Sequence, residues 1–209
     1  MNRTTPRSAV FLDRDGVLNE DSGYAYRPDQ IKWIAGAKEA VRFLNEANYY
    51  VFVVTNQTGI SRNLYTENDV QGLHRWMNAE LSVVGARIDD FRYSPFHPDY
   101  DDGRFRAIAH WRKPSPGMIF DLMKKWPIRR NGSFMIGDRS TDIEAAQAAN
   151  IPGFLFESDN LLKFIQNIIS EIKISKTYEP NEDNIDLLLQ RYSISVSYTH
   201  LTLPTTPYV

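Results

Sequence analysis

Short apolar runs that break off at a charged or small polar residue recur through this chain, and a stretch with helical spacing follows most of them. Ala9–Leu12 stops at Asp13 and runs into Gly16, Tyr50–Val54 stops at Thr55, and Ser133–Ile136 stops at Gly137. Asp90–Ser94 and Gly153–Phe156 are further runs of strand length. Between them, Ala37–Ala47 places Ala37, Ala40, Val41 and Leu44 on one helical face. Thr66, with Asp69 three residues on, predicts a capped helix to about Leu81 that carries Val70, Leu73 and Met77 on one side. Ser115 predicts a cap for a helix through about Lys125 with Pro116 in its first turn. Asp142–Ala149 is an alanine-rich helix. Strands that alternate with helices need crossover connections, and these force parallel pairing. The fold class is therefore α/β, an open, doubly wound, mainly parallel sheet of Rossmann-like type. Ligands of such sheets lie beyond the carboxyl ends of the strands, which is where the apolar runs break off.

The 209 residues and a 42% apolar content suit one packed domain with an appendage. The expected boundaries are 1–157 for the domain and 158–209 for a C-terminal extension. A net charge of −2, from 24 basic and 26 acidic side chains, gives no basic stripe for nucleic acid. No run approaches a membrane span, since even Leu161–Ile169 carries Lys163 and Gln166. The opening MNRTTPRSAVFLDRDG has no apolar stretch of leader length. The chain has no cysteine, which excludes disulfides and thiolate metal sites. A cytoplasmic monomer without nucleic-acid or membrane partners is expected. Pro95–Pro114 has no period and reads as a long functional loop. Leu161–Ile172 reads as an amphipathic helix, and Tyr178–Asn184 as a loose polar stretch. The last 15 residues, SVSYTHLTLPTTPYV, read as translated adapter rather than native sequence.

The breaks carry the chemistry. In Asp13-Arg14-Asp15-Gly16, residues two apart on an extended backbone point the same way. Two carboxylates so placed repel and favour a cation or a proton, and magnesium is a hard ion that suits them. A solvated acidic strand end would read the same. Thr55-Asn56-Gln57 sets a hydroxyl and two amides behind a buried strand, able to donate to phosphate oxygens; a polar turn is the plainer alternative. In Trp111-Arg112-Lys113-Pro114 the lysine can neutralise charge on a phosphoryl group and the arginine can fork onto a phosphate or a sugar hydroxyl. A surface basic pair is the alternative. In Gly137-Asp138-Arg139-Ser140-Thr141-Asp142, Asp138 is placed to complete an oxygen cage. Asp142 either orients Lys113 or a metal-bound water, or is simply an acid in the first turn of a helix.

Taken together and in order, FLDRDGVLNED, VVTNQTGISR, WRKPSPGM and MIGDRSTDIEAA resemble the haloacid dehalogenase-like phosphatases. More narrowly, they resemble the D-glycero-D-manno-heptose 1,7-bisphosphate phosphatase and histidinol-phosphatase group. The resemblance implies a sheet of haloacid dehalogenase type without a large cap domain. It implies that Asp13 is the nucleophile and Asp15 the general acid and base. It implies Mg²⁺ on the carboxylates of Asp13 and Asp138 and the backbone carbonyl of Asp15, with Thr55 and Lys113 on the phosphoryl oxygens. Asn56 and Arg112 are implied to touch the rest of the substrate, with Asn19, Gln57 and Arg62 as further lining residues. The expected substrate is a small phosphorylated metabolite, heptose 1,7-bisphosphate converted to heptose 1-phosphate. Histidinol phosphate, or phospholigand binding without catalysis, are the alternatives. Many relatives hold a structural zinc in the loop before the Arg-Lys-Pro motif. Ser94, Phe96, Ala109 and Trp111 stand at the matching positions, and none is a good zinc ligand. Structural zinc is not expected: His97 and His110 read as loop histidines, and Phe96, Tyr100, Phe105 and Trp111 are expected to hold the loop by packing.

Overall fold

The computed structural model describes residues 6–177. Five strands, β1 (Ala9–Leu12), β2 (Tyr50–Asn56), β3 (Asp90–Ser94), β4 (Phe134–Gly137) and β5 (Gly153–Leu155), form one sheet in the order β3-β2-β1-β4-β5. All four pairings are parallel. The helices are α1 (Ala37–Glu46), α2 (Glu67–Val83), α3 (Gly117–Lys125), α4 (Ser140–Ala148) and α5 (Leu161–Thr177), with 3₁₀ turns at Pro28–Gln30 and Arg106–Trp111. One compact unit runs through Ile168, and a second begins at Ile169. Within the first unit, the start of α5 is anchored by Leu161 N–H donating to Ala35 O (2.9 Å), and Leu161 and Ile165 are fully buried. Tyr178–Asn184 and residues 195–209 lie outside the described residues. No described helix is long and apolar enough to cross a membrane.

The strands form because their side chains are wanted on both faces. In β1 all of Ala9, Val10, Phe11 and Leu12 are fully buried, as a parallel sheet covered on two sides requires. One face turns Ala9, Phe11, Phe52, Val54 and Met135 toward α3 and α4, where Met118, Ile119, Leu122, Trp126, Ala145 and Ala146 complete a core. The pleat sends Val10, Leu12, Val51 and Val53 the other way, and they are buried just as fully. α1 packs along β2 with Ala37, Ala40, Val41 and Leu44 buried. α2 buries Val70, Leu73, Met77 and Leu81. Thr66 caps α2 as expected, accepting from Asp69 N–H at 3.2 Å while Asp69 Oδ2 takes Thr66 N–H at 2.8 Å.

The topology positions the site. From β1 the chain steps outward through β2 to β3, then returns to the opposite side of β1 at β4. The crevice at this reversal opens between the carboxyl ends of β1 and β4. Asp13 N–H donates to Ile136 O (2.9 Å) and carries the pairing one residue past β1. Between β1 and β2 lie only α1 and the short turn at Pro28–Gln30, so no cap domain is inserted there.

Three local expectations are corrected. Ser115 does not cap α3. Its N–H closes a turn on Arg112 O (2.9 Å), Pro116 takes the cap position, and the helix starts at Gly117. Gly117 sits so close to the His110 carbonyl that a Cβ would overlap it. The stretch 95–114 is not all loop, because it holds the 3₁₀ turn Arg106–Trp111, kinked at Ile108. Phe105 and Phe96 join a small core with Ile60, Tyr65 and Val70, and Trp111 packs on the main core. Tyr100 is instead half exposed, against His97 and beneath the Arg62 guanidinium.

Phe52 is fully buried among Phe11 (5.5 Å between ring centroids), Tyr50 (5.9 Å) and Trp126 (5.5 Å). Phe52→Ala is expected to cost about 3–5 kcal/mol of stability, read as a lower urea midpoint with an unchanged slope.

Candidate active site

Lys113 is the hub. Its ammonium is buried, donates to the Val54 carbonyl at 2.9 Å and forms ion pairs with Asp13 Oδ2 at 2.9 Å and Asp142 Oδ1 at 2.5 Å. The backbone of Lys113 is clasped by Asn56, which donates Nδ2–H to Lys113 O (3.1 Å) and accepts Lys113 N–H at Oδ1 (3.0 Å). Asn56 thereby ties the carboxyl end of β2 to the Arg-Lys-Pro stretch. Asp142 serves twice: Oδ1 faces Lys113, while Oδ2 accepts Arg139 N–H (3.1 Å) at the start of α4. Asp142 thus faces Lys113 from the first turn of α4. Gly137 is demanded here, since a Cβ would overlap the Asp142 carboxylate.

Asp13, Asp138 and Asp142 each bring a carboxylate oxygen within 4.8 Å of the others. Three carboxylates face the one ammonium of Lys113, with the Arg139 guanidinium 3.8 Å from Asp138 Oδ2, an acid-rich arrangement that suits a cation. Asp138 Oδ1 is buried and has no hydrogen-bond partner, as an atom kept for a ligand would be. Burial, then the charge of Asp142, raises the pKa of Asp138. Burial pushes Asp13 up to about 7 even though Lys113 pulls the other way, and the charges of Asp142 and Asp15 add to the rise. Burial pushes Lys113 down, but the charges of Asp13 and Asp142 outweigh it and hold it above the ordinary lysine value. A bound divalent cation would return Asp13 to the ionised form a nucleophile needs. This donor set, all hard oxygen, fits magnesium.

Asp15 stands apart from that cluster in the same cavity wall. Its Oδ1 accepts from Arg14 Nε (3.1 Å) and Asn19 Nδ2 (2.9 Å), and its Oδ2 from Arg14 Nη2 (2.8 Å) and Gln57 Nε2 (3.0 Å). Its side chain is thus not in the carboxylate group that faces Lys113. The turn that allows this is Asp13–Asn19, where Gly16 N–H donates to Asn19 O (2.7 Å). Gly16 has φ +82°, and a Cβ there would overlap the Asp138 carboxylate.

The cavity, about 400 Å³, is walled by Asp13, Asp15, Thr55, Asn56, Gln57, Arg112 and Lys113 among others. Asn19 and Arg62 do not line it. Asn19 is fully buried under Asp15, and Arg62 stacks 3.8 Å over the Tyr100 ring. Arg112 is half-buried, and burial and the nearby Arg62 charge lower its pKa. His97 and His110 are outside the acidic group, and burial with the charges of Arg112 and Arg62 lowers the pKa of His97. Sequence reasoning missed Arg14, Tyr65, Asp21 and Arg139. Arg14, fully buried, also donates to Ala25 O (2.7 Å). Asp21 and Arg139, paired at 2.8 Å, sit on the cavity rim 118 positions apart in the chain. Only the placement of Arg14 between two acids was a signal in the text of the sequence.

Asp13 gains protons on folding, because its native pKa of about 7 exceeds the ordinary 3.8. Its contribution to stability is full below about pH 4 and is lost as pH rises through about 7. In chelator, Asp13→Asn should remove this decline, so its melting temperature exceeds the parent's by several degrees at pH 7.5 but not at pH 4.5. Magnesium should narrow the gap at pH 7.5 by stabilising the parent. A constant offset across pH would contradict this.

Known proteins share both the sequence and the architecture. A family model described as haloacid dehalogenase-like hydrolase matches residues 10–73, and a second, HAD-hydrolase-like, matches residues 110–161. The chain is 46% identical over 174 residues to the D-glycero-beta-D-manno-heptose-1,7-bisphosphate 7-phosphatase of Rhodopseudomonas palustris, covering 83% of this chain and 97% of that protein. It is 38% identical to the enzyme of the same name from Escherichia coli, over 68% of this chain and 75% of that one. The crystal structure of D,D-heptose 1,7-bisphosphate phosphatase from B. bronchiseptica, complexed with magnesium and phosphate, superposes with a TM-score of 0.65 at 30% identity, covering 77% of this chain and 86% of that chain. A sheet reversing at β1, an aspartate at its tip and this degree of identity converge: the chain belongs to the haloacid dehalogenase-like phosphatases, in the heptose bisphosphate phosphatase group.

Proposed function

We propose that this phosphatase removes the 7-phosphate of D-glycero-D-manno-heptose 1,7-bisphosphate with the help of magnesium. The observation that carries the chemistry is the carboxylate of Asp13, held by the three-point ammonium of Lys113 at the reversal of the sheet. The extent of identity to the Rhodopseudomonas palustris enzyme supports the substrate. A cavity of about 400 Å³ suits a ligand of sugar phosphate size.

Asp13 attacks phosphorus, the bond from phosphorus to the C7 oxygen breaks, and Asp15 gives its proton to the departing alkoxide. Water then attacks the aspartyl-phosphate, Asp15 takes back a proton, and inorganic phosphate leaves Asp13 free. Lys113 and the Thr55 hydroxyl meet the phosphoryl oxygens, and Asn56 acts by fixing the backbone of Lys113. Asp13, Asp138 and the Asp15 carbonyl would hold magnesium, with Asp142 completing the charge around it. When bound, the ion supplies charge neutralisation at the phosphoryl group. Arg112, which makes no ion pair among the described residues, is suited to the phosphate that stays on the sugar.

Phosphate release should be fastest from the heptose 1,7-bisphosphate, with the heptose 1-phosphate as product and histidinol phosphate a poor substrate. Chelator should abolish the activity, and magnesium alone, without zinc, should restore it. Asp13→Asn should lower kcat by at least roughly 10³-fold. Faster turnover of histidinol phosphate would overturn the substrate, and activity retained in Asp13→Asn would overturn the mechanism.

A further inference from the structure

Gln57 follows the end of β2 in the cavity wall and is almost fully buried. Its backbone N–H is pinned to Ser94 O at 2.8 Å. Its side-chain amide faces three groups at once. Nε2 donates to Asp15 Oδ2 and to Thr55 Oγ1, each at 3.0 Å, and Oε1 accepts from the Tyr65 hydroxyl at 2.8 Å. An amide has nearly the same shape when turned end for end but the opposite polarity. Turned round, Gln57 would set its oxygen against the Asp15 carboxylate. The donating hydroxyl of Tyr65 selects the other orientation.

Tyr65 is well fixed for this task. It is 6% exposed and immediately precedes Thr66, the cap of α2. Its ring stacks on Tyr26 (5.1 Å between centroids, 20° between planes) and lies over Gly59, where a Cβ would overlap it. A rigid helix start thus holds a phenol, the phenol holds an amide, and the amide holds one oxygen of Asp15. Arg14 reaches both oxygens from below, Nε on Oδ1 (3.1 Å) and Nη2 on Oδ2 (2.8 Å), and Asn19 adds a donor to Oδ1 (2.9 Å).

We propose that Tyr65 and Gln57 are positioning residues for Asp15: together they set the rotation of its carboxylate for proton transfer to the leaving oxygen. This rests on the phosphatase reading above. It moves Gln57 from substrate contact to support of the acid and gives Tyr65 a role that its sequence position did not suggest. Proton transfer needs heavy atoms roughly 2.6–3.2 Å apart, so a carboxylate left to Arg14 and Asn19 alone, without the amide on Oδ2, would be less well aimed and would lose rate without losing substrate.

The test compares two esters. A sugar phosphate leaves as an alkoxide that must be protonated, whereas p-nitrophenyl phosphate leaves as a stable phenolate. Tyr65→Phe keeps the ring and its stacking, so its melting temperature should stay near the parent's. Its kcat on the heptose bisphosphate should fall roughly tenfold or more, with KM within about twofold, and the fall on p-nitrophenyl phosphate should be much smaller. Gln57→Leu should show the same split. The double variant should be no slower than Gln57→Leu alone, because Tyr65 acts through Gln57. Losses that multiply in the double variant, equal losses on both esters, or a change in KM alone would overturn the positioning role. A parent protein releasing phosphate from neither ester would sink the phosphatase reading itself. An active parent with an unimpaired Tyr65→Phe would sink only the positioning role.

Discussion

One buried ammonium facing an excess of carboxylate is the constraint around which the site is organised. Lys113 faces Asp13, Asp142 and the Val54 carbonyl together, and several neighbouring features support that arrangement. Asn56 holds the lysine's backbone, the first turn of α4 holds Asp142, and Gly137 leaves room for Asp142 to reach across. The negative charge that remains makes the cluster one that could hold a metal ion. It also explains why burial can lift Asp13 to about 7 even with a lysine at 2.9 Å.

The sheet makes this convergence possible. β1 carries Asp13, β2 carries Thr55 and Asn56, and β4 delivers Asp138, so groups far apart in the chain meet at neighbouring strand ends. The division of labour between the two acids also follows from backbone geometry. Asp13 continues the strand toward Lys113, while the turn through Gly16 swings Asp15 over buried Arg14. One acid is thereby kept with the Lys113 ammonium and the other with the amides and the guanidinium behind it.

Much of this was legible in the residues themselves. β1 could be read to the residue because its fully buried run is continuous in apolar character and ends where charge starts; β3, DFRYS, is mostly only partly buried, and its bounds were legible from its length and its aromatic residues instead. The Thr66 cap was readable because its partner lies only three positions away. What could not be read depends on distance along the chain. Asn56 looks like a ligand-facing amide until Lys113, 57 positions later, occupies both its ends. Arg14 looks like a surface charge until the fold closes over it. The stretch 95–114 shows no period because its apolar residues serve two different cores across a kinked 3₁₀ turn. The hydrogen bond between Tyr65 and Gln57, eight positions apart, was likewise not legible in the sequence.

The central position of β1 has a further consequence. It is hydrogen-bonded along both edges, to β2 and to β4, whereas β3 and β5 each have one free edge within the sheet. Local opening begins at such margins and reaches the middle last. Deuterium should therefore enter β3 and β5 well before it enters Val10, Phe11 and Leu12. Breathing of the outer strands leaves the root of Asp13 undisturbed, so the protein can loosen at its periphery while the carboxylate beside Lys113 holds its place.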